Sequence, residues 1–191
     1  MTGVFKIMYL TATLLISWMV TEQSLSDRDP KLTRAVVRYA FEEAPKYGFD
    51  PVLLMAIGRV ESGWNPHAGC VNDGCGVYQQ LAGRTSRRWV DECWEGSEYL
   101  GCLGEEGWTR DQLQDPAIST RVALRHLSWL EDRYGLHEAL RAYNRGVGNR
   151  NDSRGYCYEH RVLRTYNTFH QQVYGASYSG YNPEAYAEHG C

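Results

Sequence analysis

Apolar and polar positions along the chain alternate in a way that predicts a series of helices. Leu32, Ala35, Val36, Tyr39 and Ala40 recur at helical spacing and give one apolar face. Asp29-Pro30 supplies the start, an N-cap followed by proline at the first helical position, and Gly48 a stop. Asp50-Pro51 repeats the start signal. The stretch after it, from Val52 to Val60, is apolar almost all round, which predicts a central, buried helix ending at Gly63. Asp115-Pro116 opens a third helix, with Ile118, Val122, Leu127, Leu130 and Tyr134 on its face and Gly135 at its end. Leu136, Ala139, Leu140 and Tyr143 make a further short helix, and a last one runs from Gly155 to Val173 through Tyr158, Val162, Tyr166 and Phe169.

Between these elements the periodicity is lost. Trp64 to Gly83 reads as loop with room for a short strand pair, Thr85 to Trp94 as a short helix, and Gly96 to Gly107 as a glycine-rich loop. After Gly175 the tail is rich in Tyr, Gly and Ser and reads as irregular. The fold class is therefore mainly α with long loops and at most a small β-hairpin. The expected organisation is a leader or anchor over 1–26, one domain over 27–175 and a tail over 176–191.

Composition sharpens this outline. Apolar residues make up 43% of the chain and charged ones 23%, a globular balance. A net charge of -3 gives no basic field, so no nucleic-acid partner is expected. Lys6 precedes a short apolar run from Ile7 to Val20, the pattern of a secretory signal, with Ser24-Leu25-Ser26 as a cleavage site before Asp27. An uncleaved anchor through residues 4–20 is the competing reading; export to the periplasm or outside the cell follows from either. Six cysteines behind such a segment suggest disulfides in an oxidising compartment. Spacing does not choose among the pairings; the sequence-local set joins Cys70 to Cys75, Cys93 to Cys102 and Cys157 to Cys191. There is no CxxC pair, and no metal is expected.

The candidate for chemistry is Glu61, at the end of the most apolar helix. Apolar surroundings and the negative end of the helix dipole both disfavour its carboxylate. A carboxyl kept protonated near neutral pH can give a proton to a leaving oxygen. By position alone, a solvated Glu in a last helical turn is the commoner case. The surrounding motifs change that balance. Val60-Glu61-Ser62-Gly63-Trp64-Asn65-Pro66 is followed by Gly76-Val77-Tyr78-Gln79-Gln80, then by Asp115-Pro116-Ala117-Ile118 and by Ala142-Tyr143-Asn144-Arg145-Gly146. In this order and at these separations they resemble the soluble lytic transglycosylases of the SLT type, relatives of goose-type lysozyme.

The resemblance implies a lysozyme-like fold with a substrate cleft, acting on peptidoglycan glycan strands without metal or cofactor. It implies that Glu61 is the catalytic acid and base and that Ser62 positions substrate or the reacting groups. It implies that Gln79 lines the cleft, that Tyr143 hydrogen-bonds near Glu61 and that Asn144 contacts substrate. Tyr158 is implied to lie near Glu61 as well. The sequence departs from the family at Val77, Tyr78 and Gln80, where Leu, Met and an aliphatic residue are expected, and at Arg145 and Glu159. Tyr78 and Arg145 fall where sugars or peptide stems would lie, so Tyr78 is counted among the substrate contacts.

The reaction implied is non-hydrolytic cleavage of the β-1,4 bond between N-acetylmuramic acid and N-acetylglucosamine, leaving 1,6-anhydro ends. A goose-type hydrolase is the alternative; it would need a second carboxylate to hold water, and Asp73 is the candidate. A non-catalytic wall-binding module is the second alternative, against which Glu61 itself argues. A monomer is expected. A secretion, conjugation or phage machine that crosses the envelope would fit as a partner, and so would ordinary wall turnover.

Overall fold

The structure is a computed structural model that describes residues 30–70, 74–82 and 108–191. The leader, Asp73, the short helix expected over Thr85 to Trp94 and the Cys93–Cys102 pairing lie outside the described residues. Helix α1 spans Pro30–Glu43 and runs into a 3-10 turn, Ala44–Tyr47. Helix α2 spans Pro51–Ser62. A two-stranded antiparallel pair follows, β1 Gly74–Cys75 and β2 Gln80–Leu81, with Gly74 opposite Leu81 and Cys75 opposite Gln80. Helix α3, Arg110–Gln114, leads into the long helix α4, Pro116–Arg145, and α5 spans Ser153–Tyr174.

The Asp-Pro starts act as expected. Asp50 accepts the Val52 N–H at 2.8 Å, and Asp115 accepts those of Ala117 and Ile118 at 2.8 and 3.0 Å. Each satisfies amides that the first helical turn leaves without partners, worth about 1 kcal/mol per cap. Gly135 interrupts α4 at φ 72°, ψ 163°, a conformation no helix contains, so the two helices read from the sequence meet there without a loop. Helix α3 was not apparent from the apolar pattern. It is held by a reciprocal cap in which Thr109 and Gln112 each satisfy the other's backbone N–H.

Helix α2 is the centre of the molecule. Every residue from Pro51 to Gly58 is buried, and the helix packs against α1 and α5. Trp64, just past its end, donates its indole N–H to the Met55 carbonyl at 2.9 Å and stacks on Phe169 of α5. Buried Glu43 pairs with Arg121 and Lys46, which ties α1 to α4.

The tail is more ordered than its composition suggests. Pro183–His189 forms a 3-10 segment capped by Asn182, with Tyr186 buried. The Tyr186 hydroxyl donates to Glu159 at 2.7 Å, and a disulfide joins Cys191 to Cys157 on α5. Glu159, one of the departures from the family pattern, is only 2% exposed; it also pairs with His137 and Arg141. It is thus a buried acceptor that fastens both α4 and the tail to α5. Among the described residues no helix is long and apolar enough to cross a membrane.

Candidate active site

Three helices and the strand pair converge at the C-terminal end of α2. Glu61 occupies the last turn of that helix. Tyr158, on α5, donates its hydroxyl to Glu61 Oε1 at 2.6 Å. Burial pushes the Glu61 carboxyl up to about 7, while the Tyr158 hydrogen bond and the positive charge of Arg161 pull it the other way. The carbonyl end of α2 acts in the same sense as burial. A carboxyl with a midpoint near neutrality can donate a proton and then accept one.

Ser62 fixes the strand pair to the helix end. Its hydroxyl donates to the Val77 carbonyl at 2.7 Å and accepts the Asn65 N–H at 3.0 Å. Close approach is possible because Gly58 faces the turn: a Cβ there would lie 3.0 Å from the Tyr78 ring and 3.2 Å from Val77. Gly76 is more constrained. Its φ is +73°, and a Cβ would sit 1.8 Å from the Leu113 carbonyl oxygen. The segment between Glu61 and the strands is closed by the Cys70–Cys75 disulfide, the local pairing expected from the sequence.

Gln79 stands in the turn between the strands at φ 48°, a left-handed conformation rare for a residue with a side chain. Its amide Nε2 donates to the Gly76 carbonyl at 2.9 Å. Tyr143 donates its hydroxyl to the Tyr78 carbonyl at 3.0 Å, not to Glu61. It is near enough to Glu61 for that carboxylate, after burial, to help hold the phenol well above its ordinary value. Asn144 follows it, exposed on the last turn of α4.

One expectation needs correction. Tyr78 was counted as a substrate contact, but its side chain is fully buried beside Gly58; only its carbonyl serves the site, as the acceptor for Tyr143. Arg145, the other departure in this region, has its guanidinium on Asp152, the N-cap of α5, through Nε at 3.0 Å and Nη2 at 2.9 Å. The pairing orders the turn between α4 and α5.

The structure brings in two residues to which the sequence assigned no role, Gln80, read only as a departure from the family pattern, and His126. Gln80 contacts the Tyr143 hydroxyl through its Nε2, and His126 Nδ1 lies 3.2 Å from Gln80 Oε1. The His126 ring stacks on Tyr143 with centroids 4.9 Å apart. The signal for His126 was present: Ile118, Val122, His126 and Leu130 form one i, i+4 row, and His126 is the polar member of it. Among the described residues no group of His, Cys, Asp and Glu is placed to hold a metal ion.

Comparison with known proteins places the chain among relatives. The chain is similar to the membrane-bound lytic murein transglycosylase C of Yersinia enterocolitica, 27% identical over 154 residues, covering 75% of this chain and 40% of that protein. It is also similar to the protein of the same name from Photorhabdus laumondii, 26% identical over 144 residues, covering 70% of this chain and 38% of that one. The chain thus spans about two fifths of the length of these relatives. No solved structure matches it significantly. The family model of the transglycosylase SLT domain matches residues 38–162, a stretch that holds Glu61, the strand pair, Tyr143 and Tyr158. This chain belongs to the transglycosylase SLT domain family.

Proposed function

We propose that this protein is a peptidoglycan lytic transglycosylase in which Glu61 acts alone, first as acid and then as base. The observation that carries the reading is the state of Glu61: a carboxyl raised to about 7 by burial, oriented through one oxygen by Tyr158. Tyr158 occupies Oε1, and in this reading the proton is borne by Oε2. That proton passes to the glycosidic oxygen of N-acetylmuramic acid as the bond to C1 breaks. The ring passes through an oxocarbenium-like state, helped by the substrate's own acetamido oxygen. Glu61, now a carboxylate, takes the proton of the C6 hydroxyl, and O6 closes on C1. The proton Glu61 gave is restored, and no water is consumed.

In this reading Ser62 and Gln79 hold the shape of the cleft wall beside Glu61, Asn144 meets the glycan, Tyr158 orients the Glu61 carboxyl, and Tyr143 holds the Tyr78 carbonyl of the strand turn. Support comes from the family membership and from the hydrogen bonds that join the strand pair to the end of α2. Two relatives named as membrane-bound murein transglycosylases and two disulfides fit an exported enzyme acting outside the cytoplasm.

The test is digestion of purified peptidoglycan by the wild type and by Glu61→Gln, with product masses. Release of 1,6-anhydro products by the wild type alone is expected. Hydrated reducing ends instead would make it a hydrolase, with Asp73 the carboxylate to examine. Binding without release by either protein would make it a wall-binding module.

A further inference from the structure

We infer that Arg161 is a specificity-determining residue of this site, binding a carboxylate on the lactyl group or peptide stem of the muramic acid being cleaved. The inference rests on the proposed reaction for the identity of the substrate. Arg161 lies on α5 three residues after Tyr158, on the same face of the helix. Its guanidinium sits over the Tyr158 ring, 6.0 Å from the centroid, and the hydroxyl of that ring is bonded to Glu61. Tyr158 is covered, whereas Arg161 is exposed and Glu61 is partly exposed. Carboxyl and guanidinium thus reach the surface at the same phenol.

The charge of Arg161 is not spent within the protein. Among the described residues its guanidinium makes no ion pair and no hydrogen bond. It acts on Glu61 through space, and that carboxyl is protonated when turnover begins. A permanently charged guanidinium beside a neutral carboxyl leaves positive potential where the glycan binds. The ring whose C1 bond breaks bears a lactyl ether at C3. The lactyl carboxyl is either free or amide-linked to a peptide stem with carboxylates of its own. A carboxylate there matches the forked donors of arginine. Arg164, three residues further on, is also exposed, but its charge acts on His160 and Tyr181, toward the tail.

The test compares kcat/KM on soluble glycan strands that keep their carboxylates with the same strands after N-acetylation and carbodiimide amidation with ammonium ion, which neutralises them. The wild type should cleave the acidic strands roughly tenfold more efficiently. Arg161→Gln should bring that ratio close to one. The ratio cancels any effect of the lost charge on Glu61, because both substrates meet the same carboxyl. Arg164→Gln makes the same charge change on another face of α5 and should leave the ratio as it is. Strands stripped of peptide by an amidase distinguish the two sources: a preference kept there assigns the lactyl carboxylate, and one lost there assigns the stem. Equal cleavage of acidic and amidated strands by the wild type would overturn the inference. So would a ratio unchanged in Arg161→Gln, or one lost equally in Arg164→Gln. If no strand is cleaved, the proposed reaction fails, and binding of the same strands by Glu61→Gln proteins with and without Arg161→Gln decides this inference separately. A binding preference for acidic strands that depends on Arg161 supports it, and equal binding overturns it.

Discussion

Tyr158 and Glu61, separated by 97 residues of chain, share a hydrogen bond of 2.6 Å that joins the last turn of α2 to α5. The phenol is buried and cannot ionise in the working range, so it is always a donor. It favours the carboxylate over the acid and thereby opposes burial. Removing it in Tyr158→Phe should raise the Glu61 midpoint above about 7, by roughly one pH unit. The alkaline limb of the pH–rate profile moves up by the same amount, while the maximal rate falls because the carboxyl loses its orientation. A lower maximum with an unmoved limb would show that Tyr158 packs without tuning Glu61.

The wild-type profile itself is fixed in sign by the direction of the Glu61 shift. The reaction needs the protonated form at the start of each turnover. Activity on peptidoglycan should be flat below the Glu61 midpoint of about 7 and fall roughly tenfold per pH unit above it. Initial rates of anhydro-product release across pH check this. A rate that climbs through neutrality would mean that the carboxylate starts the reaction.

The same shift has a cost in stability. The Glu61 midpoint rises from 4.5 to about 7 on folding, so the folded protein holds this proton more tightly than the unfolded chain. The penalty for the ionised side chain is absent below 4.5, grows between 4.5 and 7, and is complete above that. It amounts to about 3 kcal/mol as an upper figure. Glu61→Gln should therefore abolish activity and stabilise the protein in mild alkali by up to that amount, with far less gain in mild acid. Denaturant melts at both ends of the range measure the difference. Equal effects of the substitution at both would show that the carboxyl is not held at an elevated midpoint.

What was legible in the sequence was what is local. Each of the described Asp-Pro starts is a cap because the carboxylate reaches amides two or three residues on. The apolar stretch after Asp50 had to be central because it has no polar face to give to water. Glu61 was legible through the motifs around it. Tyr78 was misplaced because a motif states which residues are near a site, not which way each one faces. Gly76 was recognisable as part of a motif, but its reason is the Leu113 carbonyl from α3, which no local pattern reveals. Gln80 and His126 meet across 46 residues, and neither signals alone that it needs the other. The ordered tail was missed for the same reason: Tyr186 has a place only because Glu159 and Cys157 hold one open on α5.

That tail supplies the last prediction. The Cys157–Cys191 bridge closes a loop with a sequence separation of 34, and restraining such a loop in the unfolded chain contributes about 4 kcal/mol at most. The tail has other holds. Tyr186 donates to Glu159, and Tyr156 stacks on His189 with centroids 3.6 Å apart. Replacing both cysteines by serine should therefore lower stability by about 2–4 kcal/mol without unfolding the domain. Adding Tyr186→Phe should cost about 1 kcal/mol more, since Glu159 keeps His137 and Arg141. The His137 contact gives this region a pH dependence of definite sign. Hydrogen bonding to Glu159 raises His137 above 6.5, so its support is complete below that value and fades as pH rises through the elevated midpoint. Urea melts of the single, double and triple variants measure these costs, with proteolysis of the folded proteins reporting release of the tail. A double-serine variant as stable as the wild type, with a tail equally resistant to protease, would show that the bridge is dispensable and that the noncovalent holds keep the segment in place.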